Sequence, residues 1–322
     1  MRDHGGNLDQ AIRRFGGAAA GWIDLSTGIN RVPYPVGDLP PSVWTALPTR
    51  SATEALLDAA REAYGTRAAI AVLSGAQGAI QLIPQLAKPG TARVLTPTYN
   101  EHAAALRLAG WQVEEVKTLD GLCGADQAVV VNPNNPDGRL HDRAALLALL
   151  GKVGRLVVDE SFADPDPAQS LADRAGHAGL LILRSFGKFY GLAGLRLGFA
   201  LGAADDIARL TAMAGPWPVA GAALEIGTRA MKDQAWQAAT TRRLAGEAVT
   251  LDRIAMSFGW QVVGGTSLFR LYDTEDATRA QNHLARHHIW SRIFPYSDRW
   301  IRLGLPGSGA EWDRLTSAGK PQ

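Results

Sequence analysis

A lysine and two potential phosphate ligands lie close together just after the middle of the chain. Ser185 precedes Lys188 by three residues and Arg196 follows it by eight, within a glycine-rich segment at residues 184–198. The apolar run at residues 180–183 predicts a buried strand directly before this segment. A lysine at the end of a buried strand can lose its proton and act as a nucleophile, and a hydroxyl and a guanidinium can hold a phosphate. This combination predicts a phosphate-bearing cofactor held by a lysine, and we infer pyridoxal phosphate (PLP).

The elements that must position these residues alternate between strands and helices. Such alternation indicates an α/β fold, with a three-layer α/β/α domain around a mostly parallel sheet. Ligands of these sheets bind beyond the carboxyl ends of the strands, where the polar residues of this chain cluster. After about residue 216 the pattern changes to a long helical stretch followed by two strands and a helix, which predicts a smaller α+β domain. The main predicted strands are at residues 93–96, 111–116, 127–131, 155–158 and 180–183, with helices at 52–64, 101–109 and 142–150.

Three regions are expected along the chain. An N-terminal arm at residues 1–45 contains a short helix, a short strand and a proline-rich extended connector. A large cofactor-binding domain at 46–215 and a small C-terminal domain at 216–322 follow it. The arm is expected to pack on the active site and on the small domain.

Composition narrows the class of protein. The 322 residues are 46% hydrophobic and 20% charged, as in an ordinary globular protein with a substantial core. The formal net charge is +2 and the sequence contains no basic cluster, which argues against a nucleic-acid partner. Cys123 is the one cysteine, so no internal disulfide can form, and no metal site is predicted. Without an apolar run of membrane-spanning length or a signal-peptide core, we expect a cytoplasmic protein with no membrane partner.

Taken in order, the strand-end motifs resemble those of the fold-type I PLP enzymes, the aspartate aminotransferase superfamily, over nearly the whole chain. By this resemblance Lys188 matches the lysine that binds PLP covalently. Asp159 matches the aspartate that faces the pyridine nitrogen and keeps it protonated. Asn135 matches the asparagine that hydrogen-bonds the ring hydroxyl, and Tyr99 matches the aromatic residue that stacks on the ring.

The resemblance also implies ligands for two further anionic groups. The cofactor phosphate would be bound by Ser185, by Arg196, and by the helix start at Gly75, Ala76 and Gln77, where backbone N–H groups favour an anion. Arg302, in the segment at residues 300–305, matches the arginine of the small domain that grips the substrate carboxylate as a bidentate fork.

Within the superfamily, the chain is most similar to the L-threonine-O-3-phosphate decarboxylases of cobalamin biosynthesis, relatives of the histidinol-phosphate aminotransferases. The similarity lies in the His-Gly-Gly-Asn motif at residues 4–7, the segment at 24–30 and the Pro-Tyr-Pro at 33–35. It implies a homodimer that decarboxylates L-threonine O-3-phosphate to (R)-1-amino-2-propanol O-2-phosphate. The candidate substrate ligands at this end of the chain are His4, Asn7, Gly28 and Asn30.

Two departures from the superfamily pattern stand out. Phe162 occupies the place of a tyrosine that donates to the ring hydroxyl in many aminotransferases. Leu47 occupies the place of a tyrosine that reaches the cofactor phosphate of the partner subunit, so a contribution of the partner to the cofactor site is an open question.

Two other functions are compatible with the core motifs. One is transamination of the histidinol-phosphate type, and the other is a PLP-fold binding protein without turnover. A nucleotide-binding dehydrogenase is disfavoured because no Gly-x-Gly-x-x-Gly motif follows the first strand of the predicted sheet.

Overall fold

The computed structural model describes residues 4–319, and these form two compact units. The large unit comprises Tyr34–Asn135 and Leu140–Gln237. The small unit comprises the described residues up to Pro33, the short segment Pro136–Arg139, and those from Ala238 onward. The boundaries between the two units lie after Pro33 and after Gln237. The predicted arm ends at residue 45 and the predicted large domain ends at residue 215, and these boundaries stay a prediction of independently folding regions.

Helices and strands alternate through the first two thirds of the chain. The helices are α1 (Leu8–Phe15), α2 (Ser42–Thr45), α3 (Arg50–Tyr64), α4 (Gly75–Leu82), α5 (Glu101–Leu108), α6 (Arg143–Leu147), α7 (Phe186–Phe189), α8 (Ala204–Ala214), α9 (Gly221–Lys232), α10 (Gln234–Ser257), α11 (Ala277–Arg286) and α12 (Gly309–Ala318). The strands are β1 (Ile23–Asp24), β2 (Ala69–Ser74), β3 (Thr91–Leu95), β4 (Gln112–Val116), β5 (Gln127–Val131), β6 (Leu156–Asp159), β7 (Leu180–Ser185), β8 (Leu197–Gly202), β9 (Gln261–Thr266), β10 (Phe269–Asp273), β11 (Ile289–Trp290), β12 (Arg292–Phe294) and β13 (Ser297–Gly304).

The large unit is built on a seven-stranded sheet in the order β2-β8-β7-β6-β5-β3-β4. Its central strands β5, β6 and β7 are buried along their whole length, as expected for parallel strands covered on both faces. All neighbouring strands run parallel except β8, which is antiparallel to β2 and to β7. The predicted α/β class with a mostly parallel sheet is confirmed.

Strand β8 lies outside the predicted elements, and its glycines explain why. Gly198 and Gly202 lower the strand propensity of this segment. Packing requires them: a Cβ on Gly198 would lie 2.4 Å from the backbone nitrogen of Ala76, and one on Gly202 would lie 2.5 Å from the Leu181 side chain. Tertiary packing therefore overrides local propensity here. Helix α8 was also not anticipated by the sequence pattern, and α2 interrupts the connector that the prolines predict to be extended.

The small unit contains a four-stranded antiparallel sheet in the order β12-β13-β10-β9 and a parallel pair formed by β1 and β11. Beside that pair, α1 packs through Ala11 into an apolar cluster with Trp22, Ala285 and Trp290. The predicted small α+β region is confirmed in its strands β9 and β10 and helix α11, and β11, β12, β13 and α12 are additional elements. Across residues 4–319, no helix combines the length and apolar character needed to cross a membrane.

Candidate active site

One cavity of the large unit brings together all the residues predicted to bind the cofactor. Most of them end or follow four neighbouring strands of the sheet, three begin the helix after β2, and Arg196 directly precedes β8. The carboxyl ends of the parallel strands therefore meet at one edge. Ser161 and Phe162 add to the lining. The predicted residues in the cavity wall are Gly75, Ala76, Gln77, Tyr99, Asn135, Asp159, Ser185, Lys188 and Arg196.

The insertion of β8 explains how three separate segments form the anion-binding end of this cavity. In the strand register, Leu197 pairs with Ser74 at the end of β2, and Gly198 pairs with Ser185 at the end of β7. Arg196, just before β8, therefore lies beside the start of α4 and the end of β7. Its backbone adopts a left-handed conformation with φ of 54°, which is uncommon for a residue other than glycine.

Gly75 packs against the guanidinium at this end of the cavity. A Cβ on Gly75 would lie 3.1 Å from an Nη atom of Arg196, and the positive φ of 72° further disfavours any other residue there. Helix α4 begins at this glycine, so its first N–H groups have no partner within the helix. Helix N–H groups, a guanidinium and the Ser185 hydroxyl form an arrangement suited to a phosphate dianion.

Asp159 is buried in the middle of the site and remains an anion. Its Oδ2 lies 2.8 Å from Nε2 of His102, and its Oδ1 accepts hydrogen bonds from the backbone nitrogen and hydroxyl of Ser161 at 2.9 and 2.5 Å. Burial opposes ionisation, but the hydrogen bond and charge of His102, together with the Ser161 hydrogen bonds, hold the pKa of Asp159 below its ordinary value. This carboxylate can therefore stabilise a proton on a nitrogen placed against it.

His102 is a site residue that the sequence analysis did not identify. It lies in the first turn of α5 and is 4% exposed, on a helix whose other buried residues give it the appearance of a core position. The one sequence clue is its place three residues after Tyr99, in the first helical turn after the loop that follows β3.

Replacing His102 with phenylalanine is expected to weaken PLP binding about tenfold or more, because a hydrogen bond to a charged group is worth about 1.5–3 kcal/mol. Without His102, the pKa of Asp159 rises. On acidification, the variant should therefore lose PLP affinity at a higher pH than the wild type does. Titration of the apoprotein with PLP across a pH series measures both effects. The exposed His177 offers a matched control, and His177→Phe should bind PLP as the wild type does.

Lys188 lies on α7, directly after β7, and an aromatic wall surrounds it. Its Nζ is 5.7 Å from the centre of the Phe162 ring. Phe186 stacks on Tyr190 with 4.3 Å between ring centres, and Tyr190 stacks on Trp236 at 5.6 Å. The tyrosine hydroxyl expected in many relatives is thus replaced at Phe162 by an apolar ring, and the stacked aromatics restrict the short helix that positions the lysine.

The predicted substrate residues all lie in the small unit. Asn7 caps α1 by accepting a hydrogen bond from the backbone of Gln10, and the Asn30 side chain accepts from Arg243 at 2.9 Å. Gly28 is buried, and His4 lines a cavity of the small unit together with Arg14 and Arg292. Asn7, Gly28 and Asn30 do not line that cavity. Of the predicted phosphate ligands in the described part of the arm, the structure therefore places His4 alone there.

Arg302 is 6% exposed on β13, with an Nη atom donating to the carbonyl oxygen of Ser26 at 2.7 Å. Its register partner on β12 is Arg292, so the two side chains share one face of the sheet. Burial and the charge of Arg292 lower the pKa of Arg302 to about 10. The guanidinium is therefore charged at neutral pH, and a bound anion would offset its repulsion by Arg292. Arg292 could not be singled out from sequence, because β12 is a three-residue strand without a recognisable pattern.

The cavity of the large unit fits PLP by the chemistry of its donors. An ionised buried carboxylate, an anion-binding helix start with an arginine and a serine, a tyrosine and a lysine occupy one cavity wall. These groups match the pyridine nitrogen, the phosphate, the ring face and the aldehyde of PLP, respectively.

Comparison with known proteins agrees with this chemistry. The family model described as aminotransferase class I and II matches residues 41–318. A threonine-phosphate decarboxylase of Pseudomonas aeruginosa is 41% identical over 99% of this chain and 97% of its own length. A histidinol-phosphate aminotransferase of Mycobacterium bovis is 36% identical over 81% of this chain and 75% of its own length. Among solved structures, the histidinol-phosphate aminotransferase from Sinorhizobium meliloti in complex with pyridoxal-5'-phosphate has a TM-score of 0.78 at 21% identity, covering 96% of this chain and 92% of that one.

Proposed function

Because the chain belongs to the aminotransferase class I and II family, we propose that it is a PLP-dependent carboxy-lyase that converts L-threonine O-3-phosphate to (R)-1-amino-2-propanol O-2-phosphate and CO2. The observation behind the choice of reaction is the likeness to the Pseudomonas aeruginosa decarboxylase, which extends over 99% of the chain and so includes the N-terminal residues. The likeness to the Mycobacterium bovis aminotransferase covers 81%.

In this proposal the large unit binds the cofactor. Lys188 holds PLP covalently, Asp159 keeps the pyridine nitrogen protonated, Asn135 binds the ring hydroxyl and Tyr99 contacts the ring face. When bound, PLP supplies an electron sink for the electron pair left at the substrate Cα. The amine of Lys188, released when the substrate amine takes its place on the cofactor, would then deliver a proton to Cα and so complete the replacement of the carboxylate by hydrogen.

The protein selects the bond that breaks by holding the substrate at its charged groups. We propose that Arg302 binds the carboxylate, that Arg292 contributes positive charge for the phosphate and that His4 donates a hydrogen bond to it. A substrate with two anionic groups suits the pair of arginines because each anion offsets the repulsion between the guanidinium groups. Asn7, Gly28 and Asn30 then shape the arm around them, Asn7 as a helix cap and Asn30 through Arg243.

The direct test is to incubate the purified protein with PLP and L-threonine O-3-phosphate and to quantify CO2 and the aminopropanol phosphate. Equimolar amounts of the two products are expected without any added keto acid. Transamination is the alternative, favoured by the likeness to the Mycobacterium bovis protein. It would instead require a keto acid and release no CO2. Binding of PLP without decarboxylation or transamination would support the binding-protein alternative.

Replacing Arg302 with lysine is expected to raise KM by about tenfold to a hundredfold, since a lysine cannot form the bidentate pair with a carboxylate. The effect on kcat should be smaller, because the lysine keeps the charge. Arg299 provides a control on the same strand, where it is exposed and paired with Asp273. Steady-state kinetics of Arg299→Lys should match the wild type, and equal KM values for the two variants would refute the role of Arg302.

We further propose a cytoplasmic homodimer acting in cobalamin biosynthesis. Support for the dimer comes from large apolar side chains of the large unit that are unusually exposed: Trp44 by 67%, Leu47 by 64% and Trp217 by 54%. The backbone of Val43 packs against Gly221, so the segments carrying Trp44 and Trp217 are near each other. Light scattering should give twice the chain mass, and Trp44→Glu should lower it towards the monomer.

A further inference from the structure

A buried carboxylate next to His102 has no part in the function described so far. Glu101 is the first residue of α5 and is 8% exposed. The position favours negative charge, because the positive end of the helix dipole offsets part of the cost of burial. His102 reaches Asp159 from the same helical turn, so two adjacent side chains of α5 contact residues that line the cofactor cavity.

Hydrogen bonds through Gln77 link Glu101 to Tyr99. The Tyr99 hydroxyl donates to Oε1 of Gln77 at 3.3 Å, and Nε2 of Gln77 donates to Oε2 of Glu101 at 3.2 Å. Tyr99 and Gln77 both line the cofactor cavity. The amide group of Gln77 turns its NH2 towards Glu101, whose side-chain oxygen accepts this hydrogen bond. The amide oxygen then faces Tyr99, which can use its one proton only as the donor.

We propose that Glu101 is a positioning residue that sets the orientation of the Gln77 amide and, through it, of the Tyr99 hydroxyl in the cofactor cavity. When the Tyr99 hydroxyl donates its proton to Gln77, its oxygen can only accept a hydrogen bond from a bound cofactor. The face of the Tyr99 ring contacts the cofactor ring. The ring position is held further by an edge contact with His102, with 6.3 Å between ring centres. This proposal rests on the proposed binding of PLP and not on which reaction follows.

The proposal is tested by replacing the carboxylate of Glu101 with an amide of the same size. In Glu101→Gln, either amide can flip, so the Tyr99 hydroxyl is no longer directed to one partner. PLP affinity of the apoprotein is expected to fall about fivefold, the size of one net hydrogen bond, and the circular dichroism band of the bound cofactor should shift.

The Tyr99→Phe background separates positioning from a packing role. Without the hydroxyl, Glu101→Gln should change PLP affinity by less than about twofold and leave the dichroism band in place. An equal loss of affinity with and without the Tyr99 hydroxyl would overturn the proposal. Absence of PLP binding by the wild type would instead refute the proposed function, so the two failures are distinguishable. Thermal unfolding of each variant confirms that it is folded.

Discussion

Lys188→Ala is expected to abolish the covalent attachment of PLP and to reduce product formation by at least about 10⁴-fold, since it removes the nucleophile and the proton donor together. Two measurements separate these effects. Borohydride reduction of the holoprotein, followed by mass spectrometry, should add the cofactor mass to the wild type and not to the variant. Product assays under saturating PLP then report the loss of turnover, because PLP can still bind at Asp159 and at the phosphate ligands.

Lys232→Ala is the matched control, because Lys232 is an exposed lysine at the end of α9 in the same unit. It should retain both cofactor attachment and rate. Product formed by Lys188→Ala at the wild-type rate would show that the proton reaches Cα from another group. Attachment of PLP in that variant would place the cofactor on a different lysine.

The residues that the sequence makes predictable are those that follow strands. Asp159 and Lys188 come after uninterrupted apolar runs, so their place at the sheet edge follows from the alternation of strands and helices. The same rule correctly predicts the mostly parallel sheet. The position of these two residues and the mostly parallel sheet both follow from local patterns, which a single sequence displays.

The features that the sequence does not reveal depend on contacts between distant segments. The pairing of β8 with β2 and β7 brings Arg196 to Gly75 and Ser185, and no local pattern in a glycine-containing strand announces that register. His102 and Glu101 are polar residues buried on a helix, where the pattern alone indicates an ordinary amphipathic face. Their hydrogen bonds to Asp159 and Gln77 become visible only once α5 is placed against the sheet.

Asp159 depends on such contacts between distant segments. After Lys188, it is therefore the residue of the cofactor site whose replacement is most informative. Its carboxylate faces the cavity while three donor groups on two segments hold it as an anion. Asp159→Asn keeps the size of the side chain and removes the charge. The rate is expected to fall by about 10²- to 5 × 10³-fold, since removing one member of a buried charge pair costs about 3–5 kcal/mol. The exposed Asp166, a few residues along the same loop, supplies the control variant Asp166→Asn.

The pH dependence of stability provides a second measurement on the same variant. Because the pKa of Asp159 is lowered in the folded protein, its carboxylate stabilises the fold above the unfolded-state pKa of about 3.9, and this contribution disappears as pH falls through the folded value. Urea unfolding should therefore show Asp159→Asn less stable than the wild type at pH 7, with the difference shrinking on acidification. A difference independent of pH would mean that packing, and not the charge held by His102 and Ser161, accounts for the effect.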